Sequence, residues 1–306
     1  MTRFTPEPGE VARFLGERFA QVDGVELLRG GGWSSAYGFR SRDRELVVRF
    51  GAHRQDYEKD RVAAQWAAPE LPIPQVVEIG DAFGGAYAVS HRCFGEGLDA
   101  LTPARVDAVI ANLSGTLHAI RGIELPGKGF GMWQGERCDA PFESWRDYLV
   151  SGKDRDESRL QDWRRRLAAH RTAQAAFDRG HRVIARLAQA CPNARHVIHN
   201  DVPNNLLVSR DNRISGLFDW GNALAGDPLY DVAWLSFAAP WYPGIDRSRV
   251  MTLAQDRIYG SDVEARLACY EMHLSLDALQ YLASADRSDE LEATALRTVA
   301  LLDRLS

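Results

Sequence analysis

His199-Asn200-Asp201-Val202-Pro203-Asn204-Asn205 is the stretch on which the reading of this chain turns. Apolar His196-Val197-Ile198 runs into it and Leu206-Leu207-Val208 runs out of it, while Phe218-Asp219-Trp220-Gly221 follows after a second short apolar run. Asp211 and Asn212 are turn formers, so Asn205 to Ser209 and Ile214 to Phe218 read as a β-hairpin with the polar clusters at its open end. Transfer of a phosphoryl group to an alcohol needs an acceptor for the hydroxyl proton and oxygen ligands for the magnesium that neutralises a triphosphate. Asp201, an Asn of the Asn204-Asn205 pair and Asp219 are the candidates, with His199 beside Asp201. Asp and Asn near a hairpin also cap turns, but the three signals occurring together favour chemistry over capping.

Working towards the N-terminus, Arg29-Gly30-Gly31-Gly32-Trp33-Ser34-Ser35-Ala36 places three glycines and two serines between strands, where backbone amides approach a phosphate closely. A Walker loop would need Gly-Lys-Ser/Thr opening a helix, and a dinucleotide fold a helix directly after the glycines; here the chain returns into a strand. Gly31, Gly32, Ser34 and Ser35 are therefore nucleotide-binding candidates in a different kind of site. On the next strand Arg49 interrupts the apolar Val47-Val48-Arg49-Phe50, as expected of a guanidinium that reaches phosphate and pairs with a helix acid. Glu58 and Asp60 both offer that acid and lie on different helix faces; we favour Asp60.

The surrounding pattern divides the chain. Val25 to Leu28, Ala36 to Arg40, Glu45 to Phe50, Val76 to Gly80 and Ala86 to His91 read as strands, with helices at Glu10 to Phe19 and Tyr57 to Ala68. From Pro103 helices dominate: Arg105 to Ile120, Ser144 to Ser151 and a long one from Arg159 to Ala190. The Gly95-Glu96-Gly97 stretch marks the boundary between a β-rich lobe, residues 1–95, and a mainly helical lobe, residues 96–306. The fold class is thus α+β and bilobal.

Composition narrows the partners. At 306 residues with 45% hydrophobic and 26% charged, the chain is long enough to bury one large or two smaller cores. A net charge of -5 argues against nucleic acid bound through bulk charge and fits a cationic small molecule better. Cys93, Cys138, Cys191 and Cys269 lack metal-ligand spacing and read as free thiols. No apolar run suits a signal peptide or a bilayer span, so we expect a cytoplasmic protein, a monomer or weak dimer with no membrane partner.

Taken together, these residues resemble the aminoglycoside phosphotransferase family, closest to its hygromycin B phosphotransferase branch. The likeness extends over nearly the whole chain, through Leu71-Pro72-Ile73-Pro74, Gly129-Phe130-Gly131, Ser144-Trp145-Arg146-Asp147-Tyr148 and Cys191-Pro192. It implies a protein-kinase-like fold and transfer from ATP, with Mg2+, to a hydroxyl of a cationic aminoglycoside or aminocyclitol. It implies Asp201 as the catalytic base or hydroxyl-orienting carboxylate, Asp219 and Asn205 as magnesium ligands, Arg49 on phosphate, backbone around Ser90, Arg92 and Cys93 holding adenine, and Asp227 and Asp231 as loop braces. The sequence departs from the pattern in two places. Three residues, Val202, Pro203 and Asn204, separate Asp201 from Asn205 where the family has four, which leaves Asn204 as an alternative ligand. Arg49 stands where protein kinases have Lys. A metabolic kinase of the same fold and a silent nucleotide-binding module are the competing readings.

Overall fold

The structure, a computed structural model, describes residues 5–28, 32–152 and 160–305. Helix α1 (Pro8–Gly16) starts on a capping box between Glu7 and Glu10 and lays Val11, Phe14 and Leu15 inward. Strands β1 (Val22–Leu27), β2 (Ser34–Ser41) and β3 (Arg44–Gly51) follow, then helix α2 (Arg54–Ala63) and strands β4 (Val76–Ala82) and β5 (Gly85–His91). The strands form one antiparallel sheet in the order β1-β2-β3-β5-β4. Side chains alternate across a strand. Tyr37, Phe39, Leu46, Val48 and Phe50 therefore share a face, which the apolar residues of α1 cover. Tyr57 of α2 packs on the other face against Ala86 and Ala88, and the end of the same helix, Val62 and Ala63, enters the larger core of the helical part. Helix α2 thus belongs to both halves of the molecule.

The rest of the chain contains β6 (Glu96–Gly97), α3 (Pro103–Arg121), β7 (Gly131–Met132), α4 (Trp145–Val150), α5 (Trp163–Ala168) and α6 (Arg171–Leu187). Then come β8 (His196–Ile198), α7 (Val202–Asn205), β9 (Leu206–Val208), β10 (Ile214–Leu217) and β11 (Leu224–Gly226). Helices α8 (Leu229–Ala238), α9 (Arg247–Ala254), α10 (Val263–Ser284) and α11 (Ser288–Arg304) complete it. The hairpin β9–β10 takes β6 as a third strand, and β11 lies between β7 and β8 in a second small sheet. These two sheets set the His199–Asn205 stretch against the helices.

One expected element differs. Of the helix expected from Arg159 to Ala190, Arg159 lies outside the described residues and the rest contains two helices, because His170 is extended (φ -111°, ψ 96°) and breaks the ladder between α5 and α6. The break lets Trp163 and Leu167 on one side, and Phe177 and Ile184 on the other, all reach the core. A single straight cylinder would carry them along one drifting stripe.

Candidate active site

Strand β8 delivers the chain to Asn200 in the left-handed region, φ 64°, a conformation Asn tolerates better than most residues. The sharp turn leaves two backbone donors pointing into the protein, and the Asp231 carboxylate of α8 accepts both: His199 N–H at 2.9 Å and Asn200 N–H at 2.8 Å. Burial pushes Asp231 up to about 7, with those two donors opposing the shift. Asn200 adds Nδ2 to the Asn222 carbonyl at 3.0 Å and accepts from Trp234 Nε1 at 3.2 Å.

His199, expected beside Asp201 in the chemistry, is fully buried. Its Nε2 donates to the Phe218 carbonyl at 3.0 Å and its ring meets Trp220 edge-on with centroids 4.5 Å apart. Burial lowers it to about 4, so it is neutral at physiological pH. The structure places it as a tie between the two polar clusters, away from the open cleft.

Asp201 sits at the N-terminus of the short helical turn α7. Asn204 Nδ2 donates to one carboxylate oxygen at 2.6 Å and Asn205 Nδ2 to the other at 2.9 Å; Asn205 also reaches the Asp201 carbonyl at 3.0 Å. Burial drives the Asp201 carboxyl up to about 7, and both amides pull the other way. The tight turn brings two consecutive asparagines onto one carboxylate. They are not equivalent: the side-chain oxygen of Asn204 is taken by the Tyr242 hydroxyl, whereas Asn205, almost buried, uses only its nitrogen.

At the far end of the hairpin Asp219 also adopts φ 62°, and its side chain remains 43% exposed, the most open carboxylate of the cluster. Arg49 of β3 lies 3.6 Å from it and pairs on its other side with Asp60 of α2. Asp60 in turn accepts Trp220 N–H at 2.7 Å. Burial raises Asp60, against the pull of Arg49. The open choice between two helix acids is settled by direction: Glu58 turns outward to Arg54 at 3.1 Å. Gly221 leaves room for Asp56, since a Cβ there would stand 2.8 Å from the Asp56 Cβ.

Sequence reasoning missed Lys59. Its ammonium is buried, donates to the carbonyls of Gly221 at 2.9 Å and Ala223 at 2.8 Å, and lies 4.6 Å from the centre of the Trp133 ring. A lysine is buried only when its charge is met, and here carbonyl dipoles from the helical lobe meet it. Between Glu58 and Asp60 it reads as one more residue of a solvated face; no local pattern marks it out. Tyr242 was missed for the same reason, being distant in sequence from the asparagine it holds.

The remaining candidates divide. Ser90 and Cys93 line a cleft with Ala36, Val47, Val76, Leu207 and Phe218, its inner end closed by Arg49, Asp60 and Trp220. Arg92 is not in that lining; its side chain turns to Glu26 at 2.7 Å. Ser34 stands beside Gly51, but Ser35 is on the opposite face of the same strand, fully buried, with its hydroxyl on Thr5 at 2.9 Å. Its expected place in the site is corrected by strand alternation. Gly31 lies outside the described residues, and Gly32 approaches the helical lobe so closely that a Cβ would stand 2.3 Å from the Tyr281 hydroxyl.

An antiparallel sheet carrying a cation paired to a helix acid, set over a loop with one carboxylate held by amides and another beside the cation, defines a kinase-like phosphotransferase. Residues 25–270 match the phosphotransferase enzyme family, and the chain belongs to it. Hygromycin-B 4-O-kinase of Escherichia coli is 29% identical over 273 residues, 88% of this chain and 77% of that protein. A thermostable mutant of aminoglycoside phosphotransferase APH(4)-Ia, solved as a ternary complex with AMP-PNP and hygromycin B, superposes with a TM-score of 0.83 at 26% identity, covering 96% of this chain and 98% of that one. The gentamicin complex of APH(2")-IIa shares the fold, with a TM-score of 0.66 at 16% identity over 98% and 97% of the two chains. The bilobal kinase-like class expected from sequence is borne out.

Proposed function

We propose that this phosphotransferase moves the γ-phosphoryl group of ATP to a hydroxyl of a hygromycin B-like aminocyclitol. The observation that carries the reading is the pairing of Asp201, clamped by two amides, with Asp219, left open beside Arg49. Asp201 accepts the proton of the acceptor hydroxyl as its oxygen bonds to phosphorus and the bond to the departing diphosphate breaks. A carboxyl raised to about 7 is matched to that task near neutral pH. Asn204 and Asn205 hold its carboxylate in one orientation, and His199 and Asp231 keep the loop in register.

The donor set suits magnesium. Among the described residues there is no cluster of three His, Cys, Asp or Glu side chains that would hold a metal without other ligands, and magnesium is bound by one or two carboxylates plus substrate phosphates. Asp219 and the side-chain oxygen of Asn205 would hold it; Asn204, engaged by Tyr242, would not. When bound, the ion neutralises the triphosphate. Arg49 contacts phosphate with one face while Asp60 fixes the other, Gly32 and Ser34 cover the phosphates, and the backbone from Ser90 through Arg92 to Cys93 receives adenine.

We place the division between the lobes at 95/96 and expect a cytoplasmic monomer or weak dimer. No helix among the described residues is long and apolar enough to cross a membrane. The hygromycin B assignment for this chain is supported by its similarity to proteins that carry that substrate in their names. Mass spectrometry of hygromycin B incubated with enzyme, ATP and magnesium is expected to show one added phosphate. Phosphorylation of choline or a simple sugar alone would move the substrate and keep the site.

A further inference from the structure

Tyr57 of α2 is 97% buried, with 3% of its surface exposed, yet its hydroxyl has no hydrogen-bond partner among the described residues. A buried hydroxyl left without a partner is costly, because it has surrendered its bonds to water. The surroundings show where a partner would stand. The Tyr57 ring lies beneath the Arg49 guanidinium, 5.2 Å from carbon to ring centre. Its hydroxyl lies beneath the end of β3, where β3 meets the start of β2. A Cβ on Gly51 would stand 2.8 Å from the hydroxyl, 3.2 Å from the Trp33 carbonyl and 3.4 Å from the Ser34 Cβ. Gly51, lacking a side chain, lets the hydroxyl come this close to the start of β2, two residues along β3 from Arg49.

We propose that the Tyr57 hydroxyl is a phosphate-binding group, donating to a terminal phosphate oxygen of the bound nucleoside triphosphate alongside Arg49. The inference rests on the assignment of Arg49 and Asp219 to the nucleotide. Burial, partly offset by Arg49, holds the phenol protonated and thus a donor. The ring and the hydroxyl act together: the ring fixes the plane of the guanidinium from below, and the hydroxyl projects past it to the anion that the guanidinium attracts. A phenylalanine at the same position would keep the first role and lose the second.

Tyr57→Phe in the full chain separates the two. Binding of magnesium with a non-hydrolysable ATP analogue, and of adenosine as a probe lacking phosphates, is measured by calorimetry for both proteins, with thermal unfolding of each in the absence of ligand. A hydrogen bond to a charged group predicts that the variant binds the triphosphate on the order of tenfold more weakly. Adenosine affinity is expected to be unchanged, and the ligand-free midpoint equal or higher, since no partner was lost. Equal triphosphate affinity in both proteins overturns the proposal, as does a loss of the same size for adenosine. An unchanged triphosphate affinity with a lower ligand-free midpoint would show that the hydroxyl serves the fold instead. If the wild type binds adenosine but not the triphosphate, the assignment of Arg49 and Asp219 falls and this inference with it.

Discussion

Asp60→Asn removes one charge from the centre of the site while keeping the side chain's shape. In the native protein the carboxylate serves two donors at once, the Arg49 guanidinium and the Trp220 amide at 2.7 Å. An amide has one accepting end, so whichever donor it keeps, its own NH2 faces the other. If Trp220 is kept, Arg49 loses a charge-assisted bond of about 1.5–3 kcal/mol and faces a donor. Arg49 and Asp60 have side chains only 12% and 6% exposed, so water does not replace the loss. Arg49 is then left with Asp219 at 3.6 Å and is drawn towards it; in the proposed site this competes with the metal and turns the guanidinium away from phosphate. We expect a loss of about 3 kcal/mol in transition-state stabilisation, roughly a hundredfold in kcat/KM for ATP. Steady-state kinetics with ATP varied at saturating acceptor measures it, with Glu58→Gln as the surface control. A kcat/KM for Asp60→Asn within threefold of wild type would refute the argument that this carboxylate orients Arg49.

Lys59→Met keeps the aliphatic stem over Trp133 but strands two carbonyls of the helical lobe, so a loss of about 2–4 kcal/mol is expected in urea unfolding; a loss below about 0.5 kcal/mol would remove Lys59 as the tie between the lobes. For the wild type, kcat should fall as pH drops through about 7, because the base role proposed for Asp201 needs the carboxylate, which protonation removes. Tyr242→Phe frees the Asn204 amide, whose donated bond lowers Asp201. The acid limb of the pH–kcat profile is then expected to shift to higher pH, with little change in KM for ATP; an unshifted limb would show that Tyr242 does not position Asn204.

Much of the site was legible because polar residues interrupt short apolar runs at places where no fold needs them. Arg49 inside Val47 to Phe50, and Asp201 and Asp219 at the open end of a hairpin, are conspicuous for that reason. The five strands of the large sheet were readable from alternation and turn residues, with boundaries displaced by a few residues at most. What could not be read depends on direction in space. Glu58 and Asp60 differ only by the rotation of a helix, and Ser34 and Ser35 by the pleat of a strand. Asn204 and Asn205 differ by which of them meets Tyr242. Lys59 and Tyr57 gain their meaning from the opposite lobe and from an adjacent strand end, neither of which local periodicity reports. The break at His170 was hidden because apolar residues on both sides of it continue a helical period.

Asp201 is proposed to take the acceptor proton during phosphoryl transfer to an aminocyclitol hydroxyl. Release of ADP by the wild type and by Asp201→Ala, each confirmed as folded, with ATP, magnesium and an aminoglycoside panel including hygromycin B, tests it most directly. Hygromycin-dependent ADP release is expected in the wild type, with a loss of about two to four orders of magnitude, as for removal of a positioned base, in the variant. Equal rates in the two proteins, or ADP release that no acceptor in the panel stimulates, would contradict it.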